Sequence, residues 1–229
     1  MQNRPKCCDI AVDLILDVQK MMKILIADDH SLVRYGLKLA LHNHFRDSHI
    51  DESWDGESVK AQFALHRYDL LLLDLNMPET DSTILLQWIR EFHPETKVLV
   101  VSMNDESIFG KRSLQQGAHG YLEKDSPPEE LVKAINTLMN GKRYASPKLS
   151  TILINETLAG KSGNPFDRLT AREFQVAMYL AKDYSVTQIS EILQVQYTSV
   201  NTFKRRIFKK LNIENKSALL RLTDAYNPG

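Results

Sequence analysis

The sequence predicts an α/β domain with a doubly wound parallel sheet, followed by a small all-α domain. In the first two-thirds of the 229-residue chain, short apolar runs alternate with helix-like patterns, as in parallel strands joined by helices. The remainder shows helical patterns alone. Residues 1–163 carry 19 basic and 23 acidic side chains, whereas residues 164–229 carry 10 and 6. This change of charge indicates two domains with different partners, and nucleic acid is a candidate partner for the second.

Four short apolar runs are predicted to be strands that are buried on both faces. They are Lys23–Ala27, Leu70–Leu73, Lys97–Val101 and a strand within GAHGYLEK that ends near Lys124. Helix-like stretches lie between them, because parallel neighbours in one sheet need a crossover connection.

Helical spacing is visible between these strands. In SLVRYGLKLALHNHF, one apolar face is expected to carry Leu32, Leu37, Leu41 and Phe45. A second apolar stripe runs from Ile84 to Phe92, and another helix is predicted over 106–116. Ser126 is expected to cap the last helix of this domain.

The basic second part is predicted to fold into four short helices. Their expected ranges are Thr170–Lys182, Val186–Leu193, about 197–211 and Lys216–Ala225. Thr170 with Glu173, and Ser185 with Gln188, have the spacing of capping boxes at the starts of the first two. Residues 146–166 are interpreted as a linker, because AGKSGNP at 159–165 is rich in loop-forming residues.

Polar and charged side chains follow the ends of the predicted strands. Asp28 and Asp29 follow the first strand, and Asp74, Ser102 and Lys124 follow later ones. Ligand sites in parallel α/β sheets lie at the carboxyl edge, so we expect these side chains to converge. Three carboxylates repel each other, and a hard cation such as Mg²⁺ relieves that repulsion. The sequence therefore predicts a phosphoryl-accepting site with Asp74 as nucleophile, Mg²⁺ and Lys124 neutralising charge, and Ser102 bonding the phosphoryl oxygen.

Four motifs occur in order at these strand ends: ADDH, LLLLDLNMP, VVSMND and GYLEKD. Over about residues 22–142 the chain resembles the receiver domain of bacterial two-component response regulators, which implies a flavodoxin-like fold with five parallel strands. The resemblance implies that Asp74 is the phosphoacceptor. It also implies that Asp28 or Asp29, together with Asp74 and the Asn76 carbonyl, holds the metal ion.

The same resemblance extends to the residues that sense the phosphoryl group. It implies that Lys124 and Ser102 contact this group and that Tyr121 is the switch aromatic. His30 is expected to be a surface or capping residue rather than a ligand. Ser82 stands where many receivers have glycine, and it is expected instead to cap the following helix.

The stretch TSVNTFKRRIFKKL, residues 198–211, carries five basic side chains on a predicted helix. Its apolar face holds Val200, Phe203, Ile207 and Leu211. A helix with one apolar and one basic face can lie in the DNA major groove, although a charge run is more often only a solvated surface. Together with LTARE and QISEIL, the stretch resembles the helix-turn-helix domain of NarL/LuxR-type regulators over about residues 167–226.

This second resemblance assigns DNA contacts by position. The residues expected to contact bases are Asn201, Thr202 and Arg205. Those expected to contact phosphates are Thr198, Lys204 and Lys209. Phe203 stands where the family often has histidine, and it is expected to belong to the core. The last helix, around 218–226, corresponds to a dimer surface.

The sequence therefore predicts a DNA-binding transcriptional response regulator of the NarL/LuxR type, switched when a sensor histidine kinase phosphorylates Asp74. Expected partners are double-stranded DNA, RNA polymerase and, after phosphorylation, a second copy of the chain. No enzyme activity of its own is expected. Two alternatives stay open. The receiver can be an interaction module that works without phosphorylation, or the site can belong to a phosphatase, which Asn76 in place of a second aspartate disfavours.

Composition narrows the setting. No apolar run approaches the roughly 18–20 residues of a membrane span, and the two cysteines, Cys7 and Cys8, are adjacent, so no disulfide framework is implied. A cytoplasmic location without membrane contact is therefore expected. The predicted divisions are an N-terminal extension (1–21), a receiver domain (22–145), a linker (146–166) and a DNA-binding domain (167–229).

Overall fold

The computed structural model describes residues 21–158 and 164–226. The first part contains a sheet of five strands: β1 (Met22–Ala27), β2 (Ser48–Ser53), β3 (Leu70–Leu73), β4 (Lys97–Ser102) and β5 (Gly120–Glu123). The strand order is β2-β1-β3-β4-β5, and all neighbouring strands are parallel. The predicted doubly wound parallel sheet is confirmed.

Helices cover both faces of this sheet: α1 (Ser31–His44), α2 (Gly56–Leu65), α3 (Ser82–Phe92), α4 (Glu106–Gln116) and α5 (Pro128–Met139). On one face, Leu41 of α1 and Ile135 of α5 pack against strand residues such as Ile24. On the other face, Phe63 of α2 and Leu86 of α3 belong to a second buried cluster. Successive strand residues point to opposite faces, which is why the strands are apolar throughout.

The strand β2 is absent from the sequence prediction. Its sequence, SHIDES, contains one aliphatic residue, and only Ser53 is buried. The strand pairs with β1 over its whole length, from Met22 opposite Ser48 to Ala27 opposite Ser53. Because β2 is an edge strand held mainly by backbone pairing, a search for apolar runs does not detect it.

Two helix details differ from the prediction. Leu41 is fully buried and Leu37 packs against the core, but Leu32 is 80% exposed. Nine residues of helix at 3.6 residues per turn place Leu32 on the side opposite Leu41, so the proposed common face was wrong. Ser126 does not cap α5, because Pro127 occupies the N-cap position without a side-chain hydrogen bond. Pro128 then begins the helix, where a missing N–H removes one donor that a cap would satisfy.

The segment interpreted as a linker contains a helix, α6 (Pro147–Leu158). Leu149 of this helix is fully buried against α4. A Cβ atom built on Gly110 of α4 would lie 2.8 Å from the Leu149 side chain, so the absence of a side chain allows the two helices to approach closely. Residues 159–163, which include most of the predicted loop AGKSGNP, lie outside the described residues.

The four helices predicted for the second part are confirmed as α7 (Ala171–Ala181), α8 (Val186–Ile192), α9 (Tyr197–Leu211) and α10 (Lys216–Tyr226). Both capping boxes form, at Thr170 with Glu173 and at Ser185 with Gln188. The helix α9 packs against α7 and α8 through its apolar side, and Phe203 packs against this core as expected.

The helical second part also packs onto α4 of the sheet domain. A 3-10 turn, Pro165–Arg168, precedes α7, and the Phe166 carbonyl accepts a 2.7 Å hydrogen bond from Arg112. The ring of Phe109 meets the ring of Phe174 edge to face, with 5.3 Å between centroids. The two halves of the chain therefore share an apolar contact with buried polar groups at its border.

None of the helices in the described ranges is both long enough and apolar enough to cross a membrane. The predicted N-terminal extension falls outside the described residues, except for Met21.

Candidate functional site

Three charged side chains meet at the carboxyl edge of the sheet. The Lys124 ammonium lies 2.6 Å from Oδ2 of Asp28 and 2.8 Å from Oδ2 of Asp74. Asp28 and Asp74 are each 2% exposed, and the Lys124 side chain is 5% exposed. The ends of β1, β3 and β5 position them, as the strand-end rule predicts. We call the set Asp28, Asp29, Asp74 and Lys124 the acidic pocket.

The acidic pocket has donor atoms that suit a divalent cation. One ligand atom from each of Asp28, Asp29, His30 and Asp74 lies within 4.8 Å of the others. Buried Oδ1 atoms of Asp29 and Asp74 accept no hydrogen bond. His30 Nδ1 lies 2.8 Å from the Asp29 atom, but this contact lacks hydrogen-bond geometry. Unpartnered carboxylate oxygens are the ligands that Mg²⁺ takes, so these residues fit the expected ion.

The protonation of the acidic pocket follows from its burial. Burial raises the pKa of the Asp74 carboxyl, and Lys124 opposes this only in part. Burial alone would lower the pKa of Lys124, but the neighbouring Asp74 and Asp28 outweigh it and raise that pKa. Lys124 therefore stays charged at neutral pH, between two carboxylates. One positive charge among three aspartates leaves the pocket short of positive charge, which favours a bound cation.

Ser102 and Tyr121 lie beside the acidic pocket on β4 and β5, and both are fully buried. The Tyr121 hydroxyl donates a 2.7 Å hydrogen bond to the Asn104 carbonyl. The Ser102 hydroxyl accepts a 3.3 Å bond from the Asn104 N–H. Burial raises the pKa of Tyr121, so its hydroxyl remains a donor at neutral pH. Both predicted switch residues therefore contact one loop residue, which the sequence analysis did not single out.

The loop after Asp74 differs from the prediction at Ser82. Asp81, not Ser82, caps α3, with its carboxylate accepting from the N–H groups of Thr83 and Ile84. Ser82 is the first helical residue, and its buried hydroxyl donates to the Leu75 carbonyl at 2.7 Å. This bond ties the loop back to the strand end. The expectation that Ser82 caps the helix was wrong because the helix already begins at Ser82, which places Asp81 at the N-cap position.

The remaining predicted residues near the pocket have these positions. The backbone N–H of Asn76 lies near the Asp74 carboxylate and acts to lower its pKa, against the larger effect of burial. His30 is exposed, as expected, and its side chain makes no cap for α1. Its ring reaches Asp28 and Asp29 instead, which the sequence analysis did not foresee.

The helix α9 presents a basic surface that is separate from the acidic pocket. Asn201, Arg205, Arg206 and Lys209 are exposed, and we call these four residues the basic face. Within the described residues, the three cations of this face make no ion pair, whereas Lys210 pairs with buried Glu173 at 2.5 Å. Sequence reasoning omitted Arg206, although it lies in the same basic run.

The other predicted DNA-binding residues lie around this face. Thr198 is exposed and Thr202 is half-buried; the Thr202 hydroxyl bonds the Thr198 carbonyl at 3.0 Å. Lys204 is half-buried, and its ammonium lies 5.7 Å from the centre of the Phe208 ring. The structure thus brings the six predicted residues onto one helix, where Thr198, Asn201, Arg205 and Lys209 are exposed.

A five-stranded parallel sheet with an acidic pocket, joined to a helical domain with a basic helix, defines a DNA-binding response regulator. Residues 24–136 match the response regulator receiver domain family, and residues 167–223 match the bacterial regulatory proteins of the luxR family. The chain belongs to the transcription regulators that combine these two domains.

Related proteins support this assignment over most of the chain. The oxygen regulatory protein NreC of Staphylococcus epidermidis is 36% identical over 207 residues, and NreC of Staphylococcus carnosus is 34% identical over 206. Each alignment covers 87% of this chain and 95% of the relative.

Solved structures with the same arrangement include the response regulator RcsB. RcsB of Salmonella typhimurium matches with 25% identity and a TM-score of 0.55, covering 90% of this chain and 98% of that one. A structure of two RcsB dimers bound to two parallel DNAs matches with 26% identity and a TM-score of 0.56, over the same shares of the two chains.

Proposed function

We propose that Asp74 is the phosphoacceptor of this regulator and that a sensor histidine kinase supplies the phosphoryl group. One observation carries the assignment. Oδ2 of Asp74 is held by Lys124 at 2.8 Å, while buried Oδ1 has no hydrogen-bond partner. A carboxylate that is oriented through one oxygen and free at the other is prepared to act as a nucleophile.

The residues of the pocket have distinct roles in this proposal. Oδ1 of Asp74 forms a bond to phosphorus in line with the phosphohistidine nitrogen, whose bond to phosphorus breaks as the histidine keeps the electron pair. Lys124 neutralises oxygen charge that develops during transfer. The Ser102 hydroxyl donates a hydrogen bond to the new phosphoryl group. Tyr121, the second switch residue, changes its position in response.

Asp28, Asp29 and Asp74, with the Asn76 carbonyl, would hold Mg²⁺. When bound, this ion supplies charge stabilisation to the transferred phosphoryl oxygens. The buried Oδ1 of Asp29, which has no hydrogen-bond partner among the described residues, supports this assignment. His30 contributes no ligand in this proposal, because its ring is exposed and already contacts Asp28 and Asp29.

For DNA, we propose that α9 lies in the major groove, with Asn201, Thr202 and Arg205 towards base edges and Thr198, Lys204 and Lys209 towards phosphates. The exposed, unpaired state of Arg205 and Lys209 supports this. The phosphorylated protein binds as a homodimer through α10 and acts with RNA polymerase. Because DNA lies in the cytoplasm of a bacterium, the proposed activity would take place there.

The test is chemical phosphorylation of the full chain. We expect acetyl phosphate with Mg²⁺ to add one phosphoryl group that hydroxylamine removes, as intact mass before and after treatment would show. Asp74→Ala should abolish the addition, and Asp105→Ala, an exposed aspartate near the pocket, should not. Undiminished labelling of Asp74→Ala would disprove the assignment, whereas no labelling of the wild type would favour an interaction module that works without phosphate.

A further inference from the structure

Asn104, in the loop after β4, contacts the phosphorylation site and the DNA-binding domain at once. Its main chain serves the two switch residues: the N–H donates to the Ser102 hydroxyl at 3.3 Å, and the carbonyl accepts from the Tyr121 hydroxyl at 2.7 Å. Its side-chain oxygen accepts a 3.2 Å hydrogen bond from the Gln175 amide, on α7 of the other domain. One residue therefore joins both switch residues to the DNA-binding domain.

Gln175 is well placed to transmit a displacement. It is 4% exposed and lies in the middle of α7, and its amide oxygen accepts from Arg172 at 2.9 Å. Arg172 in turn donates to the Leu193 carbonyl, after α8, at 2.7 Å. A shift of Asn104 is thus passed to a side chain that is already fixed to two helices of the DNA-binding domain.

The contact between the domains contains polar groups that are buried without partners. Among the described residues, Nδ2 of Asn104 and both Nε and Nη2 of Arg112 have no hydrogen-bond partner. Burial lowers the pKa of Arg112 to about 10, and its guanidinium lies 5.0 Å from the centre of the Phe174 ring. Buried donors without acceptors oppose the apolar contact, so the docked arrangement is held by a small net free energy. A small local change can then shift the balance between docked and undocked states.

We propose that Asn104 is a positioning residue that couples the phosphorylation state of Asp74 to the docking of α7. The inference rests on the proposed function, because it assumes that Asp74 is phosphorylated. When the Ser102 hydroxyl turns towards the phosphoryl group, the Asn104 N–H must follow its acceptor or lose it. The Tyr121 hydroxyl is hydrogen-bonded to the carbonyl of the same residue. A movement of Ser102 or of Tyr121 therefore reaches the Asn104 side chain and its hydrogen bond to Gln175.

A second hydrogen bond between the domains provides a matched control. The Thr83 hydroxyl accepts from the Ala171 N–H at 2.9 Å, at the start of α7, and Thr83 makes no bond to either switch residue. Thr83→Val removes this bond with little change of shape. It should loosen the docking without disconnecting α7 from the switch residues.

The experiment measures hydrogen–deuterium exchange of α7 in the full chain, with and without acetyl phosphate and Mg²⁺, and intact mass gives the labelled fraction of each sample. The response is the change in exchange per labelled molecule, in either direction. We expect Asn104→Ala and Gln175→Met each to reduce the wild-type response at least about twofold, although both remain labelled. Thr83→Val should raise exchange in both states and keep the response.

A wild-type response in Asn104→Ala or in Gln175→Met would overturn the proposal. So would an equal loss of response in Thr83→Val, or a labelled wild type with no change in α7. If Asn104→Ala is not labelled, Gln175→Met decides, because Gln175 is in the other domain. A wild type that is not labelled at Asp74 would instead contradict the proposed function.

Discussion

The acidic pocket and the basic face of α9 differ in how they are hydrated. In the acidic pocket, the side chains of Asp74 and Lys124 lost their water when the chain folded, and the distance between their charged atoms is fixed at 2.8 Å. On the basic face, Arg205 and Lys209 are exposed, so they lose water only on binding DNA. Buried, fixed charges suit chemistry at one atom, whereas exposed charges suit attraction to an extended polyanion. The same change of charge should therefore have very different effects in the two regions.

The largest expected effect comes from removing the carboxylates that are proposed to bind Mg²⁺. We expect Asp28→Asn combined with Asp29→Asn to slow Mg²⁺-dependent labelling of Asp74 roughly a hundredfold, because a bound cation contributes several kcal/mol to stabilising transferred charge. The fold should persist, since these carboxylates repel each other. Intact mass against time gives the rate. Glu57→Gln, at an exposed position of α2, is the control for lost charge. Wild-type rates in the double variant would mean that the metal binds elsewhere.

Stability gives the sharpest contrast between the two regions. Lys124→Met leaves two buried carboxylates without their cation, so we expect the free energy of unfolding to fall by about 3 kcal/mol without Mg²⁺ and to recover in part when Mg²⁺ binds. Lys209→Met removes an exposed charge and should change stability by less than about 0.5 kcal/mol.

Urea unfolding followed by far-UV circular dichroism measures this contrast, because the helices of both domains contribute to the signal. Trp54 and Trp88, the two tryptophans of the chain, both lie in the sheet domain, so their fluorescence would follow Lys124→Met alone. Equal effects of the two lysine substitutions would show that burial does not distinguish the regions.

On the basic face, two substitutions should separate base contacts from phosphate contacts. Arg205→Ala should relax preference at one base position per half-site, since a good bidentate pair gives about 1–3 kcal/mol of discrimination. Lys209→Ala should weaken binding to all sequences alike and reduce the salt slope by about one. Binding to a mapped operator and to scrambled DNA over a salt series measures both. An equal loss by Arg205→Ala on the two DNAs would make Arg205 a phosphate contact.

The smallest effect concerns a half-buried histidine that lies in neither region. His119 Nδ1 accepts a 3.1 Å hydrogen bond from the Val98 N–H, at the amino edge of the sheet. Burial, with Lys97 and Arg143 nearby, lowers the pKa of His119 from 6.5 to about 4. Between these values the unfolded chain holds more protons, so stability falls as pH drops through this window. We expect His119→Asn, whose amide oxygen can accept the same bond at every pH, to flatten that part of the curve.

Urea unfolding at a series of pH values between about 7 and 4.5 would measure this change. Labelling of Asp74 should be the same in His119→Asn and in the wild type. If the variant kept the full pH dependence, the loss of stability would have to come from the carboxylates.

Much of the molecule could be predicted from its sequence, for identifiable reasons. The strands β1, β3, β4 and β5 are buried on both faces and therefore appear as apolar runs, and their ends locate Asp28, Asp74, Ser102 and Lys124. The capping boxes of α7 and α8 were equally clear, because they depend on neighbours in the chain. Local chemistry thus predicted that the strand-end side chains meet at one edge of the sheet, and it predicted most element types.

The features that the sequence did not predict depend on distant partners. The strand β2 is placed by pairing with β1, and α6 is held by contact with Gly110 of α4. Asn104 has no unusual sequence context, and its significance comes from Gln175, which is 71 positions away. A single sequence contains no direct signal for such contacts, whereas a carboxylate at the end of a strand can be recognised from the apolar run that precedes it.

The strand order also determines when the acidic pocket can exist during synthesis. The carboxylate of Asp74 is synthesised before its partner Lys124, which lies 50 positions later. The strand β5, which precedes Lys124, lies at the edge of the sheet and pairs only with β4. A nascent chain that ends before β5 has the aspartates but no lysine to balance their charge. Lys124 directly follows β5, so the last strand of the sheet and the balancing cation are synthesised together. The ribosome therefore completes the acidic pocket before it makes the helices of the DNA-binding domain, so this domain is never synthesised ahead of the pocket.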